Sequence, residues 1–222
     1  MERVTEPELM DEETQVKAYA DADFEESNSN FLALFQGAFA NYRTRGYVLD
    51  LGCGPGDITL RFAQAYQDCV VHGLDGSTPM LRLAKEALAR KGIPGNRVEF
   101  IRGILPDVTL PRGKYHVVIS NGLLHHLHDP GVLWRTLKSY SLSGTLVLIR
   151  DLIRPQTSEE AWKIVETYSG DDPEILKRDF YNSLCAGFRV EEVTGQLLAV
   201  GLEYLLVKEV SDRHLAVMGV MM

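Results

Sequence analysis

The chain has 222 residues, 45% of them apolar and 24% charged, and a formal net charge of −8. That is enough for one α/β domain with a sizeable core, and the acid excess argues against a phosphate backbone as the main partner, since such binding needs clustered Lys and Arg. The cysteines at 53, 69 and 185 form no C-x-x-C pair and no zinc spacing, and no apolar run is long enough to span a bilayer, so the expected setting is reduced and cytoplasmic, with no nucleic-acid or membrane partner.

Residues 1–12 are acidic and aperiodic and read as a loose arm. A helix over residues 14–24 carries Tyr19. A second, over 28–42, sets Phe31, Leu34, Phe35, Ala38 and Phe39 at helical spacing, a packing pattern. Residues 47–51 form an apolar run of the kind that makes a buried parallel strand. The run enters Gly52-Cys53-Gly54-Pro55-Gly56-Asp57, after which Ile58, Phe62 and Ala65 mark one face of a helix. Strand, glycine turn and helix together bring bare backbone close to a ligand.

The glycine spacing is not the dinucleotide fingerprint G-x-G-x-x-G. The third glycine comes one residue early, and Asp57 stands in its place, where it would repel a pyrophosphate. No G-K-[ST] follows, so a P-loop is also excluded. Asp50, just before the turn, suits a zwitterion bearing a sulfonium better than it suits a phosphate. Cys53 reads as a small turn residue rather than a nucleophile.

The run V-L-D-L-G-C-G-P-G, residues 48–56, resembles the first motif of the class I S-adenosylmethionine-dependent methyltransferases. The resemblance implies a Rossmann-like, doubly wound, seven-stranded, mostly parallel sheet with a C-terminal antiparallel hairpin. Residues 45–222 would form the methyltransferase domain, behind an arm and helical lid at 1–44. The implied cofactor is S-adenosyl-L-methionine, released as S-adenosyl-L-homocysteine. Asp50, Gly52, Cys53, Gly54 and Gly56 would then build the cofactor turn, and Tyr19 on the lid would face cofactor or substrate.

A second strand over residues 69–74 ends at Asp75, 19 residues beyond Gly56, where a carboxylate can accept both ribose hydroxyls. Thr78 before Pro79 reads as the cap of the next helix, which frees Asp75 for that role. That helix turns Met80, Leu83, Ala84, Ala87 and Leu88 inward and ends at Gly92. The resemblance extends the cofactor wall to Gly76, Ser77 and Met80, and past a third strand (98–102) to Gly103 and Ile104. Related enzymes often carry an aspartate at the Ile104 position for the adenine amino group, so polar readout of adenine must come from elsewhere.

A fourth strand, 116–120, leads into Asn121-Gly122-Leu123-Leu124-His125-His126-Leu127-His128. Strand C-termini face the ligand crevice in a doubly wound sheet, so this segment lies beside the transferable methyl. It resembles the fourth motif of small-molecule methyltransferases, not the N-P-P-Y type. Asn121 and His126 are expected in the cofactor wall. For His125, general base and wall remain equal readings. His125 and His128 sit at i,i+3, but no second ligand cluster is visible in the sequence, so no metal is expected.

A fifth strand, 145–149, ends near Asp151 and Arg154, and a helical insertion over 156–187 is expected to cover the substrate cavity. Arg178, Tyr181 and Asn182 on it would suit a polar or carboxylate-bearing substrate, alongside Asp151 and Arg154. A helix over 190–198 and two strands joined by Ser211-Asp212-Arg213 close the chain. The expectation is methyl transfer to a small-molecule acceptor, with O-, N- and C-methylation and a homodimer left open. The alternatives are a module that binds the cofactor without turnover, and another chemistry on it such as a cyclisation.

Overall fold

The computed structural model describes residues 1–222 apart from the side chains of residues 20 and 21. Helices α1 (Glu13–Asp21) and α2 (Glu25–Ala38) precede β1 (Gly46–Leu51). Alternation follows: α3 (Asp57–Ala65), β2 (Cys69–Asp75), α4 (Thr78–Lys91), β3 (Val98–Arg102), β4 (Tyr115–Asn121), α5 (Gly131–Tyr140) and β5 (Ser141–Leu152). The chain ends with α6 (Ser158–Ser169), α7 (Glu174–Ala186), α8 (Val190–Ala199), β6 (Leu206–Glu209) and β7 (His214–Val220). Among the described residues no helix is long and apolar enough to cross a membrane.

The seven strands form one sheet in the order β3-β2-β1-β4-β5-β7-β6. Strands β1 to β5 pair in parallel, whereas β7 pairs antiparallel with both β5 and β6. The order reverses between β1 and β4, so a crevice opens where their C-terminal ends diverge. The residues that follow Leu51, Leu74 and Ser120 are thereby delivered to one edge.

Side chains alternate across a strand, so each strand feeds two cores. Val48, Val117, Ile119 and Leu148 face a cluster with Phe31, Phe35, Leu60 and Phe62, under α2 and α3. Leu49, Leu51, Val118 and Ile149 face the opposite cluster with Trp134, Leu137 and Leu197, under α5 and α8. A Phe35 ring lying edge-on to Phe62, 4.9 Å between centroids, anchors α2 to α3. Ala65, expected inward, is exposed; Ala63 and Phe62 supply that face instead.

Two expectations fail in instructive ways. The cap of α4 is Ser77, whose hydroxyl accepts from the Met80 N–H at 3.3 Å, and Thr78 is the first helical residue. Residues 1–12 lack regular structure but are not loose. The Arg3 guanidinium donates to the carbonyls of Ala186, His125 and Leu127 at 2.6, 2.8 and 3.1 Å. The Val4 N–H donates to Cys185 O at 3.1 Å, and Ser77 Oγ donates to Met10 O at 2.8 Å. This segment is a strap running from α7 to the start of α4. Its polar, aperiodic sequence looks disordered because its anchors are backbone carbonyls elsewhere in the chain.

Candidate active site

The turn after β1 depends on positive φ at Gly52 (71°) and Gly56 (85°). A Cβ on Gly52 would stand 2.8 Å from Leu123 Cβ, and one on Gly56 2.7 Å from the Phe100 ring. Glycine is therefore required on both steric and conformational grounds. The N–H groups of Gly52 and Cys53 donate to Leu74 O at 2.8 and 3.0 Å, tying the turn to β2. Asp75 completes the tie: Oδ2 accepts from Gly54 N and Oδ1 from Ser77 N, both at 2.8 Å. Each carboxylate oxygen keeps acceptor capacity after these bonds.

A cavity of about 540 Å³ opens over this turn, within the size range of small-molecule sites. Asp50, Gly52, Cys53 and Gly54 line it from β1 and the turn. Asp75, Gly76, Ser77 and Met80 line it from β2 and α4. Gly103 and Ile104 follow β3, Asn121 and His126 follow β4, and Tyr19 comes from α1. Gly56 stands behind the turn against Phe100 and Ala84, so its part is steric. The strap contributes Glu8, Leu9 and Met10 to the same wall.

The electrostatics of this cavity are acidic. Among the described residues its lining holds six carboxylates (Glu8, Asp23, Glu25, Asp50, Asp57, Asp75) against three basic side chains (Arg61, Arg90, Lys91). Burial pushes the Asp50 carboxyl up to about 7; a 2.5 Å hydrogen bond from Thr59 Oγ1 opposes this, and the Asp75 charge adds to it. Asp75 is also raised, by burial first, against hydrogen bonds from Ser77 and Gly54. Burial, then the charges of Asp57 and Asp75, raise the Tyr19 phenol, whose ring lies 4.7 Å from that of Phe24. Asp57, although it lines the cavity, is tied into the protein through one oxygen. It accepts from Asn28 Nδ2 at 2.9 Å and from Arg61 Nε at 2.5 Å, joining α2 to α3.

The histidines divide. His126 faces the cavity, and its Nδ1 lies 3.3 Å from Pro7 O and 3.2 Å from Glu6 Oε1. Burial, then the neighbouring His125 charge, lowers it to about 3, so it is a neutral imidazole. His125 does not line the cavity; it is buried between two carboxylates, with Nδ1 2.6 Å from Asp151 Oδ1 and Nε2 3.3 Å from Glu6 Oε1. Burial opposes its charge, but Asp151 and Glu6 outweigh burial and raise its pKa. With Nε2 turned towards Glu6 and the ring outside the cavity lining, His125 does not reach a substrate proton. The general-base reading of His125 is therefore corrected: it anchors the segment after β4.

The five expected substrate residues also lie away from the cavity. Asp151 accepts from His125, from Leu124 N at 2.7 Å and from Leu152 N at 2.8 Å. Arg154 is buried, donating to Gly187 O at 2.9 Å and to Glu192 at 2.7 Å. Arg178 and Asn182 are exposed, and Tyr181 stacks on Trp162 at 4.4 Å. The 156–187 insertion forms α6 and α7, which are joined by Ala161, Val165 and Leu184. Helix α7 packs on α1 and the turn at Leu124–His126, so it backs the cavity wall without lining it. Sequence reasoning missed the strap, whose Glu6, Glu8, Leu9 and Met10 show no periodicity. It also missed Arg61, although Asp57 and Arg61 at i,i+4 are a readable pair.

Residues 48–140 match the sequence model of a family described as a methyltransferase domain. An uncharacterised methyltransferase of Schizosaccharomyces pombe is 31% identical, over 47% of this chain and 39% of its own length. The trans-aconitate 2-methyltransferase of Rhodococcus jostii is 27% identical, over 56% of this chain and 55% of its own. The chain thus spans between about two fifths and just over half of these curated relatives. The solved plantazolicin methyltransferase BpumL, in complex with a substrate analogue and S-adenosylhomocysteine, superposes with a TM-score of 0.67 at 16% identity. That match covers 95% of this chain and 86% of BpumL. Residues 48–140 thus carry the signature of a methyltransferase domain, and the chain has the fold of the solved methyltransferases. BpumL and the magnesium protoporphyrin IX methyltransferase of Synechocystis, which share this fold at 16% and 18% identity, were both solved with S-adenosylhomocysteine bound.

Proposed function

We propose that the chain transfers the sulfonium methyl group of S-adenosylmethionine to a small acceptor held beneath the N-terminal strap and α1. The observation that carries this reading is the convergence of Asp75, the glycine turn and Asp50 on one cavity. The residues fit the cofactor. Asp75 offers acceptors for two ribose hydroxyls, and Asp50 places a carboxylate for the amino or sulfonium charge. Met80 and Ile104 give apolar surface for a base, and the bare turn admits the chain of the amino acid.

The cofactor supplies an electrophilic methyl group and its own leaving group. The protein's part is to align an acceptor with that methyl in a dry site. The strap supplies the dryness, with Leu9 and Met10 closing the wall over Gly76 and Ser77. No strong base faces the cavity from the segment after β4, because His125 is enclosed and His126 is held weakly basic. The acceptor therefore brings its own nucleophilicity or acidity. The carboxylate excess disfavours a polyanionic acceptor such as a nucleic acid.

The test is incubation of the full chain with methyl-labelled cofactor and a metabolite extract, followed by mass spectrometry. A labelled small product that depends on Asp75 supports the reading. Tight cofactor binding with no labelled product from any extract would make this a binding module instead.

A further inference from the structure

The strap brings a third polar group to the histidine pair. Glu6 Oε1 lies 3.3 Å from His125 Nε2 and 3.2 Å from His126 Nδ1. The three donor atoms all fall within 4.8 Å of one another, and all three side chains are largely buried, with 12% of Glu6, 5% of His125 and 19% of His126 exposed. A tetrahedral ion bound by nitrogen and oxygen at about 2.0–2.2 Å holds its ligands about 3.3–3.6 Å apart. Both edges that meet at Glu6 are already near that length. The histidine–histidine edge is under 4.8 Å.

The surroundings are those of a metal-binding imidazole. Asp151 takes the Nδ1–H of His125 at 2.6 Å, which fixes the tautomer and aims Nε2 at the site. Asp151 is itself fixed by the N–H groups of Leu124 and Leu152. Ser183 Oγ donates to Glu6 at 3.1 Å, orienting the carboxylate. The Pro7 carbonyl, 3.3 Å from His126 Nδ1, is a further oxygen beside the cluster.

We propose that Glu6, His125 and His126 form a binding site for one divalent transition-metal ion of the zinc class. Two imidazoles and one carboxylate suit zinc and its neighbours, whereas calcium and magnesium demand more oxygen ligands. The ion would sit behind His126, on the side away from the cavity. Its role is therefore structural: it staples the strap to the turn at Leu124–His126 and so holds Glu8, Leu9 and Met10 in the cavity wall. This goes beyond methyl transfer and does not depend on it.

The test uses the full chain, stripped with a chelator and titrated with Zn²⁺ against a chromophoric competitor, with metal content measured per chain. One ion per chain is expected, with affinity about 100-fold or more weaker in both Glu6→Ala and His126→Ala. Glu6→Ala lies on a segment without regular structure, so its circular dichroism should match the parent, and Glu6→Gln, which keeps the Ser183 contact, gives a second variant expected to lose the metal. Zn²⁺ should also slow proteolysis within residues 1–12 of the parent and not of Glu6→Ala. Binding of equal strength in parent and Glu6→Ala, or no stoichiometric binding, overturns the site; the cluster is then a His125 imidazolium clamped by two carboxylates. Cofactor titration of the stripped protein separates the two readings, since loss of the metal site leaves the Asp75 cavity in place.

Discussion

On the proposed reading, in which Asp50 faces the cofactor's positive charge, cofactor binding should depend on pH with a sign and size set by the position of that carboxyl. Its carboxyl is buried, bonded by Thr59 and raised to about 7. In the free protein roughly a tenth of it is ionised at pH 6.0 and roughly three quarters at pH 7.5. A cation seated against Asp50 needs the carboxylate and pulls its pKa down in the complex. Affinity for S-adenosylmethionine should therefore rise as pH passes through about 7, by a factor on the order of ten between pH 6.0 and 7.5, or about 1 kcal/mol. Calorimetric titration at those two pH values reads this directly. Asp50→Asn should bind more weakly at pH 7.5 and lose the slope. A flat parent profile, or a slope that persists in Asp50→Asn, would refute the assignment of Asp50 to the cofactor's charge.

The same shift has a cost for the empty protein. A carboxyl whose folded pKa lies above its unfolded value of about 3.9 contributes most below pH 4, and that contribution is lost as pH rises towards 7, by about 4 kcal/mol in all. Asp50→Asn, which keeps an acceptor for Thr59, should accordingly raise the melting temperature at pH 8 without cofactor. An unchanged or lower value counts against the buried charge. Asp75→Ala should weaken cofactor binding by about 1.5–3 kcal/mol. It should also lower thermal stability, because the N–H groups of Gly54 and Ser77 lose their acceptor. Gly52→Ala should cost more than about 1 kcal/mol of stability and abolish cofactor binding, since the new Cβ meets Leu123 in a left-handed backbone. Arg3→Ala removes the donor to three carbonyls, and limited proteolysis should then cut the strap faster while the sheet core stays protected.

The parts legible in the sequence are those set by period and by glycine. Alternation put Val48 and Leu49 on opposite faces of β1, and the glycine spacing announced a turn that only small residues can make. Asp75 was legible because a strand end fixes where its carboxylate goes. The strap was not, since an aperiodic segment held by carbonyls of distant residues leaves no local trace. His125 shows the same limit. Its place after β4 suggested catalysis, but its role is decided by Asp151 on β5 and Glu6 on the strap, which flank both ring nitrogens. Thr78 beside Pro79 looked like a better cap than Ser77 because the two are interchangeable by residue type. The backbone chose Ser77, extended at ψ 119°, as the cap.

We propose that the cavity over the glycine turn is built for S-adenosylmethionine. Calorimetric titration of the full chain with S-adenosylhomocysteine and, separately, with NAD tests it most directly. The account predicts one S-adenosylhomocysteine per chain at micromolar levels, strongly weakened in Asp75→Ala, and much weaker binding of NAD, whose pyrophosphate would enter a cavity rich in carboxylates. Tighter binding of NAD, or S-adenosylhomocysteine affinity indifferent to Asp75, would contradict it.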